Sequence, residues 1–175
     1  RKGNTYENIT LRRCRGSLVL RHGSDATVTG NYFLGENVDG TGVIRITDSD
    51  HTITNNYIQD CITVKDQAKW NNGFTFIGGG DNAAVVCTST SVSNGYQKSQ
   101  NLNISNNSIV NTNAPLFYNT DKGSTDPTGN FTNNLIYFAT GNANISNIIS
   151  GDLPASYKNM GPSLTYSGHV YVGAS

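Results

Sequence analysis

Two arginines lie inside otherwise apolar sequence, in Leu18-Val19-Leu20-Arg21 and in Val43-Ile44-Arg45-Ile46. If both segments are strands, alternation puts Leu18, Leu20, Ile44 and Ile46 on one face and Arg21 and Arg45 on the other. The two arginines are 24 residues apart. Were that spacing one turn of a repeating coil, their guanidinium groups would stack on neighbouring strands, roughly 4.8 Å apart. Two unit positive charges near that separation repel by about 3 kcal/mol at an effective dielectric of about 20. An anion held between them reverses the sign, and the planar fork of arginine suits a carboxylate. The alternative is two solvated arginines, or arginines paired with Glu36 or an aspartate.

Other residue types could also contact a ligand. Trp70, in Lys69-Trp70-Asn71-Asn72, and Tyr118 could stack on a sugar ring, as could Tyr96, although a loop tryptophan packs equally well on its own coil. Arg12, Arg13 and Arg15 could extend an anion site, against a solvated edge as the default. His51 reads as a corner residue that stabilises a turn. The cysteines, Cys14, Cys61 and Cys87, have no metal-ligand spacing, and no metal ligand is assigned in the chain. They fit either one disulfide, with Cys61–Cys87 the first choice, or three buried thiols.

The element that must position these groups is a repeat. Val28-Thr29-Gly30-Asn31-Tyr32-Phe33, Ile53-Thr54-Asn55-Asn56-Tyr57-Ile58, Ile104-Ser105-Asn106-Asn107-Ser108-Ile109 and Phe131-Thr132-Asn133-Asn134-Leu135-Ile136 share one pattern. The shared asparagines, Asn31, Asn56, Asn107 and Asn134, are separated by 25, 51 and 27 residues, the middle gap reading as two coils. A degenerate copy is Tyr6-Glu7-Asn8-Ile9-Thr10-Leu11. Short alternating strands at this period, without helical spacing, predict an all-β fold, a right-handed parallel β-helix. Each asparagine would take a left-handed corner conformation and bond to its counterpart one coil away. A second strand recurs at 17–21, 43–47, 74–77 and 116–118. Residues 62–73 and 88–100 read as loops projecting from the coils. Residues 1–150 form the coils of one domain, and 151–175, with Pro154, Gly161, Pro162 and Gly168, cap or leave them. The first residues read as the middle of a coil, as expected for a fragment of a longer helix.

Charge narrows the function. The formal net charge is zero and 14% of residues are charged, which argues against nucleic-acid binding and against a disordered tail. All six arginines fall in the first 45 residues, where seven basic residues face four acidic ones; the remainder has five lysines and eight aspartates. A basic end on a neutral scaffold suits a locally held anionic ligand. No apolar run reaches membrane-spanning length.

The run Asn4-Thr5-Tyr6, then Cys14-Arg15-Gly16-Ser17-Leu18-Val19-Leu20-Arg21-His22-Gly23, resembles the core motif of polysaccharide lyase family six. Gly42-Val43-Ile44-Arg45-Ile46 and His51-Thr52-Ile53-Thr54-Asn55-Asn56 continue the match, which covers about residues 4–58. The family contains alginate lyases and the dermatan-cleaving chondroitinase B, all parallel β-helices. The resemblance implies β-elimination on a uronic acid of an acidic polysaccharide, alginate ahead of dermatan sulfate, by a secreted or periplasmic enzyme. It implies Arg21 as acid at the leaving oxygen, His22 as its helper, Arg45 on a substrate carboxylate, and calcium. The family's catalytic lysine and calcium-binding glutamates belong upstream of Asn4-Thr5-Tyr6. Neither Lys2 nor Glu7 and Glu36 fit those positions, so this chain alone is expected to be incomplete. The competing readings are a non-catalytic binder of acidic polysaccharide and a structural or adhesive β-helix.

Overall fold

The computed structural model describes residues 2–14, 18–20, 23–38, 41, 43–46, 48–61, 100–111, 128–137, 164–167 and 170–172. Every residue in these stretches with regular structure is in a strand or bridge, and every pairing is parallel. The strands are β1 (Thr5–Glu7), β2 (Thr10–Arg12), β3 (Leu18–Leu20), β4 (Thr27–Thr29), β5 (Tyr32–Leu34), β6 (Ile44–Ile46) and β7 (Thr52–Thr54). They continue as β8 (Tyr57–Gln59), β9 (Leu102–Ser105), β10 (Ser108–Val110), β11 (Gly129–Thr132), β12 (Leu135–Tyr137), β13 (Leu164–Ser167) and β14 (Val170–Val172). The first sheet stacks β1-β4-β7-β9-β11-β13, the second β2-β5-β8-β10-β12-β14, and the third pairs β3 with β6. The chain visits the sheets in turn and advances one strand per visit, which is the parallel β-helix that the repeat predicts.

Short strands suffice because the coils share one core. Val28, Ile53, Ile104 and Phe131 line the first sheet's inner face, and Phe33, Ile58, Ile109 and Ile136 the second's. Each is at most 3% exposed. Leu20, Ile44 and Ile46 close the core from the third sheet. Burying each such side chain contributes about 1.5–3 kcal/mol, and no three-residue strand could do so alone.

The corner between the first two sheets is always two residues long. Its first residue is left-handed: Asn8 (φ 56°), Gly30 (66°), Asn55 (58°), Asn106 (57°) and Asn133 (54°). The left-handed conformation therefore belongs to the residue before each shared asparagine, one position earlier than the repeat suggested. The second residue turns inward, and Asn31, Asn56, Asn107 and Asn134 are all 1–2% exposed.

Their amides form the expected ladder. The backbone N–H and the Nδ2 of Asn31 both donate to Asn56 Oδ1 at 3.0 Å. Asn56 donates in the same way to Asn107 Oδ1, at 3.0 Å twice, and Asn107 to Asn134 Oδ1, at 2.9 and 3.0 Å. The amides also reach back to carbonyls, from Asn31 to Tyr6, Asn56 to Val28, Asn107 to Ile53 and Asn134 to Ile104, at 3.0–3.2 Å. In the first coil the position is Ile9, whose N–H donates to Asn31 Oδ1 at 2.9 Å.

The ladder also corrects the coil count. Asn56 bonds directly to Asn107, and β7 and β8 pair directly with β9 and β10, so the 51-residue gap is a single step of the helix. Residues 62–99 all belong to that one connection and lie outside the described residues, as do the proposed strands at 74–77 and 116–118 and most of 151–175.

Other corners use other devices. Ala26 N–H donates to His51 Nδ1 at 3.1 Å, so the 1%-exposed imidazole is the turn-stabilising residue expected of it. Gly35 sits where a Cβ would run into the backbone of Asp60 and Cys61, which excludes any larger residue. Cys61 is a buried free thiol rather than half of a disulfide, lying 3.5 Å from the Gln59 carbonyl. Burial pushes its pKa up to about 12.

This packing sets the expected response to two changes. Asn56→Ala strands the N–H and amide of Asn31 and the Val28 carbonyl, and should cost about 3 kcal/mol or more; Asn55→Gly, which suits the left-handed backbone, should change stability by less than about 1 kcal/mol. Urea midpoints of the two variants should therefore differ widely, and equal midpoints would refute the ladder's role. A variant keeping only Cys61 should resist alkylation at pH 8 until denaturant unfolds it. Because the folded thiol is held neutral, its contribution should be complete below the ordinary thiol range and lost as pH rises toward about 12.

Candidate functional site

The third sheet carries the arginine segments. In β3, Leu20 is buried and Val19 is 41% exposed, so the alternation expected from Leu18-Val19-Leu20 holds. In β6, Ile44 and Ile46 are buried, with Arg45 between them in the strand. The register pairs Leu18 with Ile44, Val19 with Arg45 and Leu20 with Ile46. Arg45 thus stands beside Val19 rather than directly beside Arg21. The in-register partner of Arg45 is thus the residue two positions before Arg21 in sequence, not Arg21 itself as a 24-residue coil would give. The reason is that the connection from β5 to β6 is longer than that from β2 to β3. Arg21, His22, Trp70 and Tyr118 lie outside the described residues, and of Arg45 only the backbone is described.

The turn that follows Arg21-His22 is anchored from the next coil. Gly23 N–H donates to Asp48 Oδ2 at 2.7 Å, a charge-assisted bond from a residue three positions after Arg45. Asp48 is itself left-handed (φ 70°). It therefore ties the loop leaving β3 to the loop leaving β6. Sequence reasoning passed over Asp48; the signal would have been its position one coil after the Arg-His-Gly turn.

Glu36, an alternative partner for the site arginines, is committed elsewhere. Its carboxylate is shared by the exposed Arg12 and Arg13 guanidinium groups, on the coil before. The hydrogen bond from Arg12 leads in holding the Glu36 carboxyl below its usual range. Arg12 and Arg13 thus share a single carboxylate, so the trio keeps one net positive charge at an exposed edge. Lys2 is exposed and bridges through its backbone to Ser24. Among the described residues no group of three or more His, Cys, Asp or Glu could hold a metal ion. Glu7 is exposed and the Glu36 carboxylate is taken up by Arg12 and Arg13.

A corner on the same edge is acidic and ordered. Asn101 Nδ2 donates to Asp50 Oδ1 at 2.8 Å and Ser49 Oγ donates to Asp50 Oδ2 at 2.7 Å. The bond from Asn101 is the main reason that the Asp50 carboxyl lies below its ordinary value. These bonds replace the ladder at a corner where the asparagine pair is absent.

Comparison with known proteins agrees with this architecture. The family model for chondroitinase B matches residues 1–128. The structure is similar to that of a PL6 family alginate lyase, AlyGC, with 28% identity over 94% of this chain and 23% of that one, at a TM-score of 0.66. An arginine mutant of the same lyase matches at a TM-score of 0.67 over 97% of this chain and 23% of that one, also with 28% identity. The alginate lyase AlyF-OU02 matches with 25% identity over 98% of this chain and 36% of that one, at a TM-score of 0.59. The chain thus spans about a quarter to a third of the length of these enzymes. No curated protein matches. With a family model covering most of its length and the strand order of a parallel β-helix, this chain belongs to the chondroitinase B family.

Proposed function

We propose that this chain is the part of a polysaccharide lyase that binds a uronic-acid polymer and stabilises charge during β-elimination, with alginate the first candidate and dermatan sulfate the second. The observation that carries the proposal is the third sheet. There Arg45 and the segment leading to Arg21-His22 occupy neighbouring strands, in a family of lyases, with their loops tied together by Asp48.

The chemistry follows from the difficulty of the reaction. The proton next to a uronate carboxylate is too weakly acidic to leave unless the developing negative charge is neutralised. In this reading Arg45 binds the carboxylate and Arg21 faces the glycosidic oxygen, with His22 beside it. An arginine does not give up its proton readily, its pKa exceeding about 12. Arg21 therefore acts by stabilising charge on the leaving oxygen while water delivers the proton. Trp70 and Tyr118 would stack on flanking sugar rings. The base and the calcium implied by the resemblance are assigned to no described residue, and no step is routed through the metal. Export from the cytoplasm accompanies this reading, since the polymers concerned lie outside it.

The test is ultraviolet absorbance of unsaturated uronate, with calcium, on alginate and on dermatan sulfate, using the full-length gene product alongside this chain. Arg21→Ala and Arg45→Ala should each lower turnover by about 10²–10³-fold, as for loss of one charge-stabilising donor. Asp48→Ala should lower kcat more than it raises KM, because it displaces the loop that carries the arginine and leaves the substrate's binding groups in place. No product from either polymer would overturn the lyase reading, and polymer binding that depends on Arg45 would then leave a non-catalytic binder.

A further inference from the structure

We propose a second saccharide-binding surface on the outer face of the second sheet, where Tyr32, Tyr57 and a row of corner asparagines would hold an extended, uncharged polysaccharide chain. It lies on a different sheet from Arg45 and goes beyond the reaction proposed above.

The face is defined by register. Outward positions form one row, Tyr32, Tyr57, Ser108 and Leu135, and beside it a second, Leu34, Gln59, Val110 and Tyr137. The intervening Phe33, Ile58, Ile109 and Ile136 point into the core. None of the residues in β5, β8, β10 and β12 is charged. Yet Tyr32 is 53% exposed, Leu135 38% and Tyr137 37%. A solvent-facing sheet of this kind, without a single charge over four strands, is the composition of a contact surface.

The occupant follows from what the face offers. The rings of Tyr32 and Tyr57 lie 5.9 Å apart and tilted by 51°, so they are not closed flat against each other. The small Ser108 comes next in the row, and the step leaves a groove of about 310 Å³. Its wall is the corner, with Gly30 and the exposed Asn55 and Asn106. Aromatic rings flanked by neutral groups that both donate and accept hydrogen bonds suit the C–H face and the hydroxyls of a sugar. An apolar protein or lipid partner would cover the polar side chains of Asn55, Asn106 and Ser108 without offering them hydrogen bonds. The cations nearest the groove, Arg12 beside Leu34 in the register and Arg13, lie at the edge of the face and are bonded to Glu36, so an anionic polymer would have to compete with that carboxylate. The groove crosses successive coils, whose spacing of roughly 4.8 Å is close to the rise per residue of an extended 1,4-linked hexose chain.

Calorimetric titration of the full chain with a neutral β-1,4-linked glucose hexasaccharide and a mannose hexasaccharide, beside an alginate hexasaccharide, tests the surface. Saturable binding of at least one neutral probe is expected, little changed by salt up to about 1 M. Tyr32→Ala with Tyr57→Ala should weaken it by about tenfold or more, while Tyr32→Phe with Tyr57→Phe should largely retain it and control for folding. Arg45→Ala should leave neutral-probe binding intact, which separates this surface from the proposed lyase site. Absence of neutral binding, or its survival in the double alanine variant, would overturn the proposal. So would alginate binding that depends on the tyrosines, or a dimer that the double alanine variant dissociates, which would make a second copy the occupant.

Discussion

Four buried primary amides set the terms for the rest of this fold. An amide taken from water must have its donors and acceptor satisfied, and Asn31, Asn56 and Asn107 can each do so only with a coil directly above and one directly below. That requirement holds the corner between the first and second sheets at two residues in every described coil. With the corner fixed, the inner faces of the two sheets come into line, and Val28, Ile53, Ile104 and Phe131 stack against Phe33, Ile58, Ile109 and Ile136 in one buried core. The remaining corners carry no such restriction, and there the chain varies, from a 22-residue step to a 51-residue one.

This division between a rigid corner and permissive ones explains where the candidate site lies. The arginine-bearing third sheet is entered through a connection of variable length and left through another. Its geometry is restored by local ties, such as Asp48 to Gly23 and Asn101 to Asp50. A family can alter such loops without disturbing the amide stack. The outer face of the second sheet has the opposite character. Its strands begin directly after the fixed corner, so Tyr32 and Tyr57 stand in register on neighbouring strands.

Much of this was legible in the residues. The spacing of the shared asparagines revealed the solenoid, because a ladder needs the same residue at the same place in each coil. The alternation in Leu18-Val19-Leu20 and in Ile44-Arg45-Ile46 revealed the inner side of the third sheet. Two readings were off for one reason: residue counts measure contour length, not strand spacing. The 51 residues between Asn56 and Asn107 span one coil, because a long connection leaves and returns at a permissive corner. Arg45 pairs with Val19 because the connection before β6 is longer than the one before β3. The left-handed residue was misplaced by one for a different reason, since the Asn-Asn doublet hides which member bends and which turns inward; Gly30-Asn31, where glycine takes the first place, was the clue. The pairing of Glu36 with Arg12 and Arg13 was beyond sequence, since it joins side chains from different coils across an exposed edge.

The ladder also has a direction. Between side-chain amides the earlier coil donates and the later coil accepts, so the amide carbonyls all point toward the first coil, while each Nδ2 also donates back to a backbone carbonyl of the coil before. Aligned dipoles in a dry interior reinforce one another. The stack is a file of like-oriented side-chain carbonyls along one corner, beginning at the Ile9 N–H and running to Asn134. The two ends of an otherwise repetitive corner are thereby chemically distinct, and the polarity arises from uncharged side chains.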